Sequence, residues 1–338
     1  MLTVLAAIVL FGVLITVHEL GHFLAAKATG MLVTEFSVGF GPLLYQRQVG
    51  ETLYSLRIIP FGGYNRIAGM EPGEEDLPRG FGSRPLWARM ITILAGPFMN
   101  FLLPVVIFFG MYALSGIDIP VDQPIVGSTM AGYPAEQAGV VPGDRIVSIN
   151  GVKLTQWKEI SEQVQASGPV PSKLVVERGG KVQNLTLKPQ YESETNRYLI
   201  GITPKLNHKD LGLVQSASTA VKAVSRITVG MLQGIKLMVT RKVSAELSGP
   251  IGVAQMAGDV AAQGAIPYLG FMAFLSINLA VLNLLPIPAL DGGQFLVLVV
   301  EGLRGKPLAP RAKGIIQMIG VGCILFLTIY ATLHDLIH

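Results

Sequence analysis

Cysteine and charged residues are both scarce in this chain. Cys323 is the single cysteine among 338 residues, so no intrachain disulfide can form. Charged residues make up 14% of the sequence and hydrophobic residues 50%, whereas about 25% of an average soluble protein is charged. The composition therefore excludes an ordinary soluble globular protein and is typical of a protein embedded in a membrane.

A large net charge and a cleavable leader are missing as well. Lys and Arg number 26 and Asp and Glu 22, and the balance of +4 is too small to indicate nucleic acid binding. No basic residues precede the first apolar run, which is longer than the core of a signal peptide. We therefore expect a retained first span, a lipid bilayer around the protein and no nucleic acid partner.

Long apolar runs are what the chain does have. They cover about residues 2–26, 90–114, 267–289 and 314–334. Each run is long enough to cross a bilayer, which takes about 20 residues. A further stretch with helical periodicity, Leu211–Lys242, contains Lys222, Arg226 and Lys236, which favours a helix at the membrane surface over another span.

The first span contains the sequence His18-Glu19-Leu20-Gly21-His22. On a helix, residues i and i+4 share one face, so both histidines can hold one metal ion with the glutamate beside it. This is the HExxH pattern of zinc hydrolases, which occurs by chance in about one chain per hundred of this length. The alternative is a pair of buried, hydrogen-bonded histidines. Ionisable side chains are costly inside a membrane and usually functional there, which favours the metal site.

A carboxylate follows the third span at a break in its helix. Pro286 and Pro288 stop the regular helix, and Asp291 lies just beyond them near membrane depth. A carboxylate at that depth needs a partner, and a metal ion is the obvious one. The alternative is an aspartate that caps the next helix.

The distribution of cations predicts the orientation in the membrane. The loops that follow the first span and precede the last are both rich in Lys and Arg, which marks them as cytoplasmic. Both termini and residues 117–205 then lie outside. The first and third spans both run inward, which brings His18, His22 and Asp291 to one depth near the cytosol. A membrane-spanning Leu211–Lys242 would put Asp291 on the wrong side.

These residues form the ligand set of a catalytic zinc site. Such sites use three protein ligands and leave a position for water, and His18, His22 and Asp291 supply three for one Zn²⁺ ion. Glu19 can take a proton from the water and pass it to the leaving amine. Asn100, a polar side chain in the second span, either bonds a neighbouring helix or faces this site.

Residues 33–66 predict a β-hairpin region, with short strands at Thr34–Pro42 and Thr52–Tyr64. An open strand edge beside the zinc site could pair with an unwound peptide, although an ordinary hairpin fits the sequence equally well. The candidate partners for an unwound substrate lie on this edge and in the third span. They are Leu53, Tyr54, Ser55, Leu56, Arg57, Ile58, Ile59, Asn278 and Asn283.

Residues 117–205 are charged, rich in turns and inserted between the second and third spans. Gly132–Gly139 and Pro142–Gly151 resemble a circularly permuted PDZ domain, which binds peptides as an added strand. We expect a helix at Trp157–Ala166 with Thr155 as its N-cap, and a strand at Leu199–Thr203. By this resemblance, the peptide groove lies between that helix and Leu199, Ile200, Gly201 and Ile202.

Together, the motifs HELGH, GPFMN, SGPIG and NLLPIPALDGG, in this order around a PDZ-like insertion, resemble the site-2 protease family. The similarity extends over the whole chain and is greatest to its RseP-like bacterial members. It implies an intramembrane zinc endoprotease with ligands His18, His22 and Asp291 and the catalytic residue Glu19. It also implies a bacterial inner membrane location and a single-span substrate, an anti-sigma factor or remnant signal peptide already cut by another protease.

The predicted architecture is an α-helical polytopic membrane protein with four transmembrane helices, a membrane-associated β-hairpin region and an inserted α+β PDZ-like domain. Its expected parts are residues 1–116, 117–205, 206–263 (interfacial helix and linker) and 264–338. A membrane PDZ scaffold with a structural or inactive metal site is the alternative function, but such a site would not need Glu19. A zinc transporter would need a polar path, which the second and fourth spans hardly supply.

Overall fold

A computed structural model describes residues 1–70, 77–193, 196–240 and 249–337. The end of the predicted interfacial helix at residues 241–242 and Ser248 of the SGPIG motif lie outside them. The helices are α1 (Leu2–Ala28), α2 (Leu86–Ser115), α3 (Pro134–Gln137), α4 (Trp157–Ser167), α5 (Leu213–Val239), α6 (Pro250–Ala262), α7 (Ala265–Asn283), α8 (Asp291–Arg304) and α9 (Pro310–Ile337). The strands are β1 (Val33–Val49), β2 (Thr52–Ile67), β3 (Ile117–Pro120), β4 (Val126–Thr129), β5 (Arg145–Ile149), β6 (Val152–Lys153), β7 (Ser172–Arg178), β8 (Lys181–Leu187), β9 (Gln190–Glu192), β10 (Arg197–Leu199), β11 (Ile202–Pro204) and β12 (Leu206–Lys209).

The four predicted spans correspond to helices in the described part of the chain. Four helices, α1, α2, α7 and α9, are long and apolar enough to cross a membrane. The third ends at Asn283, earlier than predicted, because the following segment contains Pro286 and Pro288, whose rings do not fit a continuing helix. The chain resumes helical structure at Asp291, the first residue of α8.

The β-hairpin is more folded than the sequence predicts. Residues 33–38 of β1 pair on one side with residues 63–67 of β2 and on the other with residues 53–56 of the same strand. Residues 43–49 of β1 pair with the far side of residues 52–57. The two strands therefore form a sheet of four segments, in the order 43–49, 52–57, 33–38 and 63–67.

This register corrects the predicted substrate edge. Residues Leu53–Leu56 are paired with a neighbouring segment on both sides, so they form the interior of the sheet and cannot accept an added strand, whereas Arg57 and Ile59 are paired on one side. The long strands can turn back on themselves because Gly39 and Gly41 in β1 and Gly62 in β2 have positive φ angles of 87°, 80° and 126°. Among the described residues, the segments without a strand on their outer side are 43–49 and 63–67, and 63–67 contacts α1 through Asn65.

Residues 115–211 form a compact unit of their own. Its largest sheet has the antiparallel order β6-β5-β7-β8, and α4 contributes Ile160 and Val164 to a core that also contains Ile146, Leu174 and Val176. Two local predictions fail here. The expected strand Leu199–Thr203 is interrupted, because Gly201 has a φ of 77°, and the N-cap of α4 is Gln156, in a capping box with Glu159, and not Thr155.

The predicted interfacial helix is present as α5. Its apolar side packs against the spans, where Ala220 and Val224 are buried in a cluster with Phe108, Ala273 and Ile277. Its cations Lys222, Arg226 and Lys236 are exposed. A helix with one apolar side and exposed cations is suited to a membrane surface, and that placement of α5 remains a prediction.

Candidate active site

The three predicted metal ligands converge in the structure. His18 and His22 lie one turn apart on α1, and their Nε2 atoms are 3.2 Å from each other. Asp291 Oδ2 is 3.1 Å from His18 Nε2 and 3.5 Å from His22 Nε2. Ligands bound to one tetrahedral zinc ion at 2.0–2.1 Å are about 3.3 Å from each other. The spacing of these atoms therefore fits a zinc ion among them.

The burial of Asp291 supports the same conclusion. Its Oδ2 atom is buried and faces the Nε2 atoms of both histidines, and a buried carboxylate is costly without a cation beside it. The alternative role as a helix cap fails, because the N-cap of α8 is Leu290 and Asp291 is already helical. Among the described residues, this cluster of His18, His22 and Asp291 is the group that could hold a metal ion.

Each histidine has its other ring nitrogen held by α2. His22 Nδ1 lies 2.8 Å from the carbonyl oxygen of Thr92, which fixes Nδ1 as the donor and leaves Nε2 free to bind metal. His18 Nδ1 lies 3.3 Å from the Asn100 amide. Asn100 is fully buried, and it therefore faces the site, the second of the two roles that its sequence position allowed.

A close crossing of α1 and α2 makes these contacts possible. A Cβ atom on Gly21 would come within 2.2 Å of the Ala95 carbonyl oxygen, and one on Gly96 within 2.2 Å of His22 Nε2. Side chains at either position would thus push the helices apart or displace the ligand. Gly21 lies in the HELGH motif and Gly96 in the GPFMN motif, but the spacing within these motifs does not predict that the glycines allow a close helix crossing.

Glu19 lines the same cavity of about 290 Å³ as the ligands. Asn283 also lines the cavity, whereas Asn278 does not. Five residues along a helix correspond to a rotation of about 140°, so the two asparagines could not both face the site. Three polar residues that the sequence did not indicate also line the cavity, namely Asn65, Thr92 and Gln294.

The residues that were predicted to bind substrate along the hairpin do not line this cavity. Arg57 is instead engaged within the sheet, where it donates to Glu35, Ser37 and Tyr64. Burial tends to raise the pKa of Glu35, but hydrogen bonds from Ser55, Tyr64 and Arg57 outweigh it and hold that pKa below its ordinary value. Leu56, Ile58 and Ile59 are exposed on the sheet.

A second cavity, of about 320 Å³, lies in the 115–211 unit. Its lining includes all four residues of the predicted peptide groove, Leu199, Ile200, Gly201 and Ile202. Trp157, Ile160 and Val164 of α4 form the opposite wall, so the groove has the apolar character expected for a peptide side chain.

Comparison with known proteins identifies similar sequences over nearly the whole chain. The family described as Peptidase family M50 matches residues 6–327. A protein of Fusobacterium nucleatum, provisionally named a zinc metalloprotease, is 38% identical over 338 residues, covering 99% of this chain and 98% of its own. The regulator of sigma-W protease RasP of Bacillus subtilis is 30% identical over 415 residues, with coverages of 99% and 98%. Among solved structures, the PDZ domain of an SdrC-like protein from Listeria monocytogenes is 21% identical, covers 26% of this chain and 93% of its own, and has a TM-score of 0.23.

Proposed function

Because the chain belongs to peptidase family M50, we propose that it cuts a peptide bond in the membrane segment of a single-span membrane protein. Family membership confirms the resemblance to site-2 proteases and the predicted fold class. The chain is a zinc-dependent metalloprotease with several membrane spans. The observation that carries the proposal is the His18–His22–Asp291 cluster with Glu19 beside it.

We assign the residues of this cluster distinct roles. His18, His22 and Asp291 would hold the zinc ion, which when bound would act as a Lewis acid and activate water for attack. Glu19 accepts the proton of the attacking water on its carboxylate and delivers it to the leaving nitrogen. Asn283, which lines the cavity, is suited to hydrogen-bond an unwound substrate backbone, whereas Asn278 does not line the cavity.

The substrate is expected to bind in an extended form. A transmembrane helix hides its carbonyl groups in backbone hydrogen bonds, so it must unwind before attack and its freed groups need partners. The outer side of segment 63–67 can provide them by strand addition, since it lies beside Glu19 and has no strand partner among the described residues. Residues Leu53–Leu56 cannot take this role, because both of their sides are paired within the sheet.

We propose an anti-sigma factor or a remnant signal peptide, already shortened by another protease, as the substrate. The similarity to a regulator of sigma-W protease supports the first of these. The proposed location is the bacterial inner membrane, with the zinc site toward the cytosol and the PDZ-like unit and both termini outside. The cations of the two short loops support this orientation.

The first experiment compares the wild type with Glu19→Gln, both purified in detergent, for bound zinc and for cleavage of a model single-span substrate. We expect one zinc ion in each protein and a loss of cleavage of at least about a hundredfold in the variant, the scale of a general base. Equal cleavage by both proteins would contradict the role of Glu19. Bound zinc with no cleavage of any tested substrate by the wild type would favour the membrane scaffold.

A further inference from the structure

Asn65 makes contacts with Glu19 that the mechanism above does not use. Its amide nitrogen donates to Glu19 Oε2 at 2.9 Å and also to the Glu19 backbone carbonyl. Both acceptors are oxygens, so the orientation of the amide is unambiguous. Among the hydrogen bonds of the described residues, Asn65 provides the only protein donor to the Glu19 carboxylate. The two residues are 46 positions apart in the sequence.

The other end of this amide has no partner. Asn65 Oδ1 is buried and receives no hydrogen bond from the residues that the structure describes. A buried acceptor without a donor lowers the stability of the fold, because the water it gave up is not replaced. An asparagine that served only to stabilise the fold would be expected to satisfy both ends of its amide. All side-chain hydrogen bonds of Asn65 among the described residues are donated to Glu19, which indicates that Asn65 acts on Glu19.

The sheet holds Asn65 firmly against α1. Asn65 pairs with Phe36 in the outer segment of the sheet, and its neighbour Tyr64 accepts a hydrogen bond from Arg57. Gly63 allows the close approach, because a Cβ atom there would come within 2.6 Å of the Ser37 carbonyl oxygen and 3.8 Å of Glu19 Cγ. The donor that reaches Glu19 is therefore fixed by a rigid element and not by a loop.

We propose that Asn65 is a positioning residue that holds the Glu19 carboxylate in the orientation needed for proton transfer. Without the donor, the side chain of Glu19 can rotate on α1, and fewer molecules have its carboxylate next to the zinc ligands at the moment of attack. Asn65 touches none of the three ligands by a hydrogen bond in the structure, so zinc binding does not depend on it. The proposal rests on the function assigned above to Glu19.

The test measures kcat, KM and zinc content of the full chain in detergent for the wild type, Asn65→Leu and Asn65→Asp. Leucine removes the donor, and aspartate keeps the shape of asparagine. A carboxylate at this position would repel Glu19 or share the proton that Glu19 must accept from water. We expect kcat to fall about 10- to 100-fold in both variants, the range for residues that orient a site, with KM and zinc content unchanged.

Gln46→Leu is the matched control, since Gln46 is an exposed residue at the opposite edge of the same sheet, and it should leave kcat unchanged. Wild-type kcat in both Asn65 variants would overturn the proposal. A fall of kcat in Asn65→Leu alone would also overturn it, because that result would indicate a packing role. A change of KM or zinc content would overturn it too, because it would indicate a role in substrate or metal binding. A wild type that binds zinc but cleaves nothing would instead refute the proposed function.

Discussion

The two zinc-binding histidines are oriented by different kinds of partner. A backbone carbonyl holds His22, and no substitution of Thr92 removes it. A side chain holds His18, and the buried Asn100 Oδ1 has no donor among the described residues as the amide stands. Exchanging the two amide atoms would let His18 Nδ1–H donate to that oxygen, the arrangement usual for a metal-bound histidine. Asn100 is therefore the orienting contact that mutation can test.

Asn100→Leu should weaken zinc binding about 10- to 100-fold, the usual effect of removing the partner of a metal-bound histidine. The measurement is zinc competition against a chelator of known affinity. Asn278→Leu is the control, since Asn278 is also an asparagine of a membrane helix but lies outside the zinc cavity, and its zinc affinity should equal that of the wild type. Equal affinities in all three proteins would mean that Asn100 acts only in helix packing.

The residues that the sequence could identify are those whose role is encoded by local spacing. His18, Glu19 and His22 lie within one helical turn, so the periodicity of the helix is enough to bring them together. Asn65 and Asn100 contact this turn from 46 and 82 positions away in the sequence. Nothing local to either asparagine indicates its partner, because the contact depends on how a sheet and a second helix pack against α1.

At the level of secondary-structure elements, the hairpin shows that local sequence predicts strands but not how they pair. Alternation and turn residues indicated strands and a hairpin, and both are present. They did not indicate that β1 and β2 each bend at glycines and pair with each other more than once. A segment lies at the edge of a sheet only if no further segment pairs with its outer side. Which residues are at the edge therefore depends on the strand register, and the local sequence does not specify it. This is why Leu53–Leu56 is an interior segment.

The PDZ-like unit depends on a buried carboxylate that pH can test. Asp144 is fully buried, and it accepts hydrogen bonds from Arg178 and from the backbone of Val141. Burial tends to raise the pKa of Asp144, but these partners hold it below its ordinary value. A lowered pKa means that the stabilisation is present at neutral pH and is lost as the pH falls below about 4 toward the folded pKa.

Asp144→Asn should therefore lower the free energy of unfolding of this unit by about 2 kcal/mol at pH 7, the scale of a hydrogen bond to a charged group. The difference from the wild type should shrink below about pH 4. Fluorescence of Trp157 in a Trp87→Phe background reports the unfolding of this unit, and Glu162→Gln on the exposed side of α4 is the control. A difference independent of pH would contradict the electrostatic explanation.

At the scale of the whole molecule, one metal site joins residues from opposite ends of the chain. His18 and Asp291 are bound to the same ion only if the spans that precede them enter the membrane in the same direction. One crossing, α2, lies between α1 and α7 and leaves them running in the same direction, whereas a second crossing would reverse α7. The amphipathic character of α5, with its exposed Lys222 and Arg226, is thus consistent with the zinc site only as long as α5 does not cross.

This topology can be tested by labelling single introduced cysteines, because the chain has one cysteine of its own. Cys323→Ser removes the single cysteine, and one new cysteine is then placed at an exposed position, Lys181→Cys, Gln48→Cys or Lys306→Cys. In right-side-out vesicles, a maleimide that cannot cross membranes should label Lys181→Cys at once, because the PDZ-like unit is expected outside. It should label Gln48→Cys and Lys306→Cys only after detergent is added, since both lie in cation-rich loops that are retained inside. Labelling of Gln48→Cys without detergent would mean that the hairpin beside Glu19 faces outward, and the substrate would then have to reach the zinc site from the outer side.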